Sequence, residues 1–160
     1  MTTIDLAEAI DRAIAAEATA RAFYLEAAGK TKNPAGAAMF RELAEFEGHH
    51  EDRLKALKAS LAAGGAWIAY EGRALSKTSQ AEAGSRPTVK ESADATDALR
   101  IAIGAEEKAE AEYKALARAA GDPNGSAMFE RLAAEEAMHR KLLDDQYYAL
   151  TNRGLWVWGD

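Results

Sequence analysis

A chain of 160 residues with a net charge of −6 and no cysteine fits one domain with one buried core. The acidic balance argues against nucleic-acid binding, which needs a basic face, and the missing thiols exclude disulfides, thiolate metal sites and iron–sulfur centres. The composition suits a cytoplasmic protein: the first residues, MTTIDLAEAIDRAIAAE, carry acids and no apolar signal core, and no apolar run approaches the ~18 residues of a membrane span.

Abundant alanine and only three prolines make helix the default. A first helix is predicted over 4–29, ending in the turn GKTKNPAG (29–36), where Asn33-Pro34 starts the next helix. A second helix over 34–63 contains EFEGHHEDR (45–53), with Gly48 in mid-helix at a cost of about 1 kcal/mol relative to alanine. Residues 64–92, rich in Gly, Ser and Thr, form a long crossover expected to pack along the helices, with Trp67, Ile68 and Tyr70 as anchors and room for a short helical piece. A third helix over 93–119, the turn AAGDPNGS (119–126) and a fourth helix over 124–150 repeat the first pattern. The tail 151–160, TNRGLWVWGD, has a glycine stop and is too apolar to stay in water, so it is expected to dock on the bundle or on a partner.

The two halves are copies. Residues 14–54 laid over 103–143 without a gap share 17 identities in 41 pairs, among them Glu17/Glu106, Tyr24/Tyr113, Pro34/Pro123, Gly36/Gly125, Glu47/Glu136 and His50/His139. Each copy reads helix, tight turn, helix, and short turns imply antiparallel neighbours. The prediction is therefore an all-α four-helix bundle built from two duplicated hairpins, 4–63 and 93–150.

Core positions in such bundles alternate spacings of three and four. In the second helix Phe40, Leu43, Glu47, His50, Leu54 and Leu57 keep that spacing, and in the fourth Phe129, Leu132, Glu136, His139 and Leu143. The first and third helices each place one acid, Glu17 or Glu106, in the stripe, with Tyr24 or Tyr113 seven residues later. Four buried carboxylates without countercharge are untenable, since each costs several kcal/mol to desolvate. No Lys or Arg stands in the stripes at that level, although Arg21 flanks Glu17. Metal is the economical answer. Glu and His at i, i+3 chelate from one helix face, and two such pairs with two further Glu make the ligand set of carboxylate-bridged two-metal centres. Two divalent ions balance four carboxylates, and mixed carboxylate–imidazole ligation suits iron or manganese. The predicted ligands are Glu17, Glu47, His50, Glu106, Glu136 and His139. Tyr24 and Tyr113 are either core aromatics or hydrogen-bond donors to a ligating carboxylate of the opposite hairpin. Glu45, Glu51, Glu107, Glu112 and Glu135 are expected to be solvated. His49, one residue off the stripe, is expected at the surface or beside a ligand. Glu110 is a candidate extra acid. Gly48 aligns with Ala137, which suggests close helix approach there.

At these residues the chain resembles the ferritin-like superfamily, and in particular rubrerythrin-like proteins. The resemblance rests on AAEATARAFY with EFEGHH, and on GAEEKAEAEY with EEAMH. It implies a non-heme di-iron centre that reacts with hydrogen peroxide or dioxygen, two iron ions (manganese or a mixed pair being the alternatives), the six ligands above, and Glu47 and Glu136 as bridges. Two departures matter. Full-length rubrerythrins carry a rubredoxin-like domain with four cysteines, absent from this sequence, so a separate donor protein or small reductant is implied. They also place an extra Glu one turn after the third-helix ligand, where this chain has Ala109 at i+3 and Glu110 at i+4. A six-ligand site is closer to ferroxidase centres, so ferrous-ion oxidation is the alternative to peroxide chemistry, with a purely structural helical module third. Family bundles commonly pair, which implies a homodimer or higher homo-oligomer, with the Trp156 and Trp158 tail as a candidate interface.

Overall fold

The computed structural model describes residues 5–77, 79 and 87–158. Residue 4 of the expected first helix, the rest of the crossover and the last two tail residues lie outside the described residues. The helices are α1 Leu6–Lys30, α2 Pro34–Ala62, α3 Val89–Ala119 and α4 Pro123–Arg153. The duplicated turns cap their helices in the same way. The Asn33 side chain accepts from the N–H groups of Ala35 and Gly36, and the Asp122 side chain accepts from those of Asn124 and Gly125. Pro34 and Pro123 each occupy a first-turn position, where a missing N–H costs nothing.

Two helix ends differ from the prediction by three residues or more, the others by no more than two. The third helix starts at Val89 rather than 93, because Thr88 and Glu91 form a reciprocal capping box directly after Pro87. The fourth runs on to Arg153 and stops at Gly154, whose φ of 67° admits the left-handed cap. Between Ala62 and Val89 the described residues hold no helix; Ser79 pairs instead in an isolated antiparallel bridge with Trp158.

The fold is a ferritin-like four-helix bundle. α1 packs along α2 and α3 along α4, while α1 and α3 touch only sparsely. Among the described residues the buried hydrophobes form two large clusters and a small one, Ala149, Leu155 and Val157, at the tail. One large cluster holds Tyr24, Phe40, Leu43, Leu99, Leu143 and Trp156; the other holds Ile10, Leu54, Leu57, Tyr113, Phe129 and Leu132. Every helix runs from one large cluster to the other, and every helix carries its acid between them.

The tail docks on its own bundle. Trp156 and Trp158 are buried, and the Val157 N–H donates to Gln146 Oε1 at 3.0 Å. That bond explains a fully buried glutamine in the α4 stripe. The duplication also reaches further than the helices. Trp67 and Trp156 stand at the same offset, one just after each hairpin. Trp67 lies edge-on to Phe129 at 5.9 Å and Trp156 edge-on to Phe40 at 6.0 Å, each ring seated on the duplicated glycine, Gly125 or Gly36. A Cβ on Gly36 would stand 2.7 Å from the Trp156 ring. Gly36→Ala should therefore cost about 1–3 kcal/mol, as overpacking does, and should redshift tryptophan fluorescence. Gly125→Ala should cost less, because Trp67 is only half-buried and can retreat. Thermal melts of both variants check the order.

Candidate metal centre

Four helices each bring one carboxylate to the middle of the bundle. Glu17 comes from α1, Glu47 with His50 from α2, Glu106 from α3, and Glu136 with His139 from α4; all six are buried. Their ligand atoms fall into two groups, each within 4.8 Å: Glu17, Glu47, His50 and Glu136, and Glu47, Glu106, Glu136 and His139. Glu47 and Glu136 belong to both. The imidazoles stack nearly parallel with centroids 6.0 Å apart. Both turn Nδ1 inward: His50 Nδ1 lies 2.8 Å from Glu136 Oε1, and His139 Nδ1 lies 2.9 Å from Glu47 Oε1.

The tyrosines reach across the pseudo-dyad. Tyr24 of the first hairpin donates to Glu106 Oε1 at 2.6 Å, and Tyr113 of the second donates to Glu17 Oε1 at 2.5 Å. Each thereby fixes the orientation of a carboxylate from the opposite hairpin. The sequence had left this open against a plain core role.

Buried polar atoms are nearly always hydrogen-bonded, yet here several are not. Glu17 Oε2, Glu106 Oε2, Glu136 Oε1 and the Nε2 atoms of both histidines have no hydrogen-bond partner. His50 Nδ1 is close to Glu136 Oε1 without hydrogen-bond geometry. Among the described residues no Lys or Arg is buried. Converging oxygen and nitrogen donors with unused lone pairs, no sulfur and no internal cation fit divalent metal ions of the iron or manganese kind.

Without metal the cluster holds itself together by sharing protons. Burial first, and then the Glu47 charge, push Glu17 well above the usual carboxylate range. Burial and the charges of Glu47, Glu106 and Glu17 do the same to Glu136. For Glu47 burial acts upward, but hydrogen bonds from Glu17, His139 and His50 outweigh it and hold the group well below 4.5. Burial lowers both imidazoles, yet their carboxylate neighbours win: His50 ends well above 6.5 and His139 at about 9. Burial and nearby carboxylates keep Tyr24 and Tyr113 protonated, with both hydroxyls raised well above 10.

The other acids sort by what covers them. Glu45, Glu107 and Glu112 are exposed, as expected. Glu51 is half-buried instead and pairs with Lys55 at 2.6 Å. Glu135, expected in solvent, is buried. Its carboxylate accepts from Tyr70 Oη at 2.6 Å and from the Arg73 N–H at 2.9 Å. The expectation failed because the cover comes from the irregular crossover, which helical periodicity does not locate. Tyr70 was visible as an anchor, but not its target. Glu110 belongs to neither ligand group and faces Lys114 at 3.1 Å and Arg140 at 3.7 Å. Half-buried His49 lies beside the Tyr70 ring and also outside both groups.

Gly48 has a different reason from the expected one. What a Cβ would meet there is the exposed Arg21 side chain of α1, with Nε at 3.2 Å, and no helix backbone. A flexible arginine can move, so Gly48→Ala should stabilise the protein by up to ~1 kcal/mol through helix propensity, measurable by urea unfolding.

Between α1 and α3 a cavity of about 570 Å³ opens toward the cluster, walled by alanines such as Ala16, Ala20, Ala105 and Ala109, with Glu17 and Glu106 among its lining. No helix among the described residues is long and apolar enough to cross a membrane.

No curated protein matches the chain. The solved structure of a hypothetical protein from Pyrococcus furiosus is similar at 29% identity with a TM-score of 0.76, over 96% of this chain and 94% of that one. The sequence profile of the rubrerythrin family matches residues 6–80 and 97–153, which include all four carboxylates and both histidines of the cluster. With its duplicated hairpins and central Glu/His layer, the chain belongs to the rubrerythrin family.

Proposed function

We propose that the protein is a di-iron oxidoreductase acting on hydrogen peroxide or dioxygen, with Glu17, Glu47, His50 and Glu136 holding one ion and Glu47, Glu106, Glu136 and His139 the other. The observation that carries this reading is the pair of overlapping donor groups sharing two carboxylates, in a member of the rubrerythrin family. Glu47 and Glu136 would bridge. When bound, a ferrous pair supplies the two electrons that reduce hydrogen peroxide, with two protons, to two waters. The chain's own residues do the rest. The two hydrophobic clusters wall off bulk water above and below the acids. Tyr24 and Tyr113 orient the unshared carboxylates Glu106 and Glu17 while keeping their own protons. The alanine-walled cavity between α1 and α3, about 570 Å³, has room for a small uncharged oxidant. A separate donor would return the electrons, and the family habit of pairing supports a homo-oligomer.

One observation favours a second reading, ferrous-ion oxidation: Glu110 turns to Lys114 and Arg140 rather than to the cluster, leaving six ligands. Stopped-flow of the anaerobically iron-loaded protein separates the two. Oxidation by peroxide ten or more times faster than by dioxygen, roughly the tenfold step of 1.4 kcal/mol in barrier, is expected. A preference for dioxygen with repeated turnover of added ferrous ion favours the second. Fewer than about one metal per chain after loading with iron contradicts the two-metal set of donors and sinks both.

A further inference from the structure

We propose that Glu135 is a positioning residue for His50, and that it makes the two halves of the centre unequal, so that the His50 half takes the first metal ion. This rests on the two-metal reading above. The argument comes from the duplication itself. Six ligands and two tyrosines repeat faithfully, but the residue just before the α4 glutamate, Glu135, aligns with Phe46 before the α2 glutamate. Behind His50, Nε2 lies 3.7 Å from Glu135 Oε1. Behind His139 stands the Phe46 ring, edge to face with a centroid distance of 4.3 Å; neither Nε2 makes a hydrogen bond, so the difference lies in what faces it, a carboxylate or a phenyl ring.

The crossover builds the difference. Tyr70 Oη donates to both Glu135 oxygens, at 2.6 and 2.8 Å, and the Arg73 N–H donates to Oε1. Arg131 Nε faces Oε2 at 4.0 Å. The Arg73 guanidinium covers the other side, over the Phe46 ring at 5.4 Å. Gly72 between them has a φ of 86°, and a Cβ there would run into Arg131, so only glycine lets the strap pass this close. Glu135 is thus locked in place beside one of the two inner imidazoles, His50, and not beside His139.

The consequence is tautomeric and electronic. A carboxylate behind Nε2 favours the tautomer with its proton there, leaving the Nδ1 lone pair free on the inward side, and it makes the imidazole a stronger donor. A phenyl ring does neither. Both halves share Glu47 and Glu136, so any second ion binds more weakly than the first, and separated binding steps alone do not locate the asymmetry. The seat of the first ion does.

The test is an anaerobic titration of the metal-free protein with Co²⁺, read by calorimetry, visible absorption and paramagnetic broadening of histidine-ring NMR signals. The first equivalent is expected to broaden His50 ahead of His139. Glu135→Gln should weaken the first step about 10- to 100-fold, the usual effect of losing a ligand's supporting carboxylate, and should let one equivalent broaden both rings equally. In the Zn²⁺-loaded protein the same change should move the His50 Nε2 proton resonance and leave that of His139 in place. A general loosening of the fold would instead weaken both steps. Tyr70→Phe, which keeps Glu135 but removes its hydroxyl donor, should shift the preference in the same direction by less, and serves if Glu135→Gln does not fold. Equal broadening of the two rings in the unaltered protein, or Glu135→Gln weakening both steps alike or neither, overturns the proposal. Failure of the unaltered protein to bind Co²⁺ at all overturns the two-metal reading itself.

Discussion

Glu47→Gln, and equally Glu136→Gln, should take metal uptake from about two ions per chain to none, whereas Glu17→Gln or Glu106→Gln should leave about one. The asymmetry follows from the geometry: Glu47 and Glu136 lie in both donor groups, Glu17 and Glu106 in one each. Glutamine keeps the volume and a carbonyl acceptor but removes the charge, and an uncharged amide does not balance a buried divalent ion. Glu17→Gln should spare the half containing His139, and Glu106→Gln the half containing His50. Metal analysis of purified variants, with circular dichroism to show that the helices persist, checks the result. Two ions retained in Glu47→Gln would mean that the carboxylates do not share metals. All four variants retaining one ion would mean a single site whose ligands substitute for one another. Alanine would be a poorer probe at Glu47. That group is the ionised partner of His139 Nδ1 at 2.9 Å, and truncation would strand the imidazole as well as empty the site.

What could be read in advance follows the period of the helix. Glu47 and His50, and Glu136 and His139, declared themselves because polar residues held the apolar stripe in both copies at one offset. The same register chose Glu106 over Glu107, which in the structure is exposed near Arg140. Tyr24 and Tyr113 could be placed, but not their partners, since no periodicity says which carboxylate a neighbouring hairpin presents. Glu135 was missed because its cover comes from Tyr70 and Arg73, in a segment without regular structure. The Trp67/Trp156 pair was readable, because the offset continues past the helices, but its meaning required seeing Gly36 and Gly125 beneath the rings. The start of α3 was missed because Thr88 caps it inside a stretch whose composition reads as loop.

The metal-free protein should lose stability as pH rises from 6.5 to 9, and metal should remove that slope. His50 and His139 have folded-state values above the ordinary 6.5, that of His139 at about 9. A histidine whose folded value is raised contributes stability that is full below 6.5 and is lost as pH climbs through the folded value. Glu17 and Glu136, raised above 4.5, act with the same sign: protonated in the fold, they cost stability once the unfolded chain would ionise them. The depressed acids Glu47 and Glu135 contribute in the opposite sense, but that gain is complete above 4.5 and flat across this window. Burial lowers His49, so its effect falls below 6.5. Tyr24 and Tyr113 would act only above 10. The His139 shift alone corresponds to a loss on the order of 3 kcal/mol at 1.36 kcal/mol per unit, or roughly 10 °C in melting temperature for a chain of this size. Metal ions replace those protons. Their binding therefore releases protons, and affinity should rise about tenfold per pH unit for each proton displaced. Thermal melts at pH 6.5, 7.5 and 8.5, with and without Mn²⁺ under anaerobic conditions, should show a falling series without metal and a nearly level one with it, because the gain in affinity cancels the loss from the same protons. A metal-free protein equally stable at all three values would mean that the four central carboxylates and two imidazoles do not share protons in the fold.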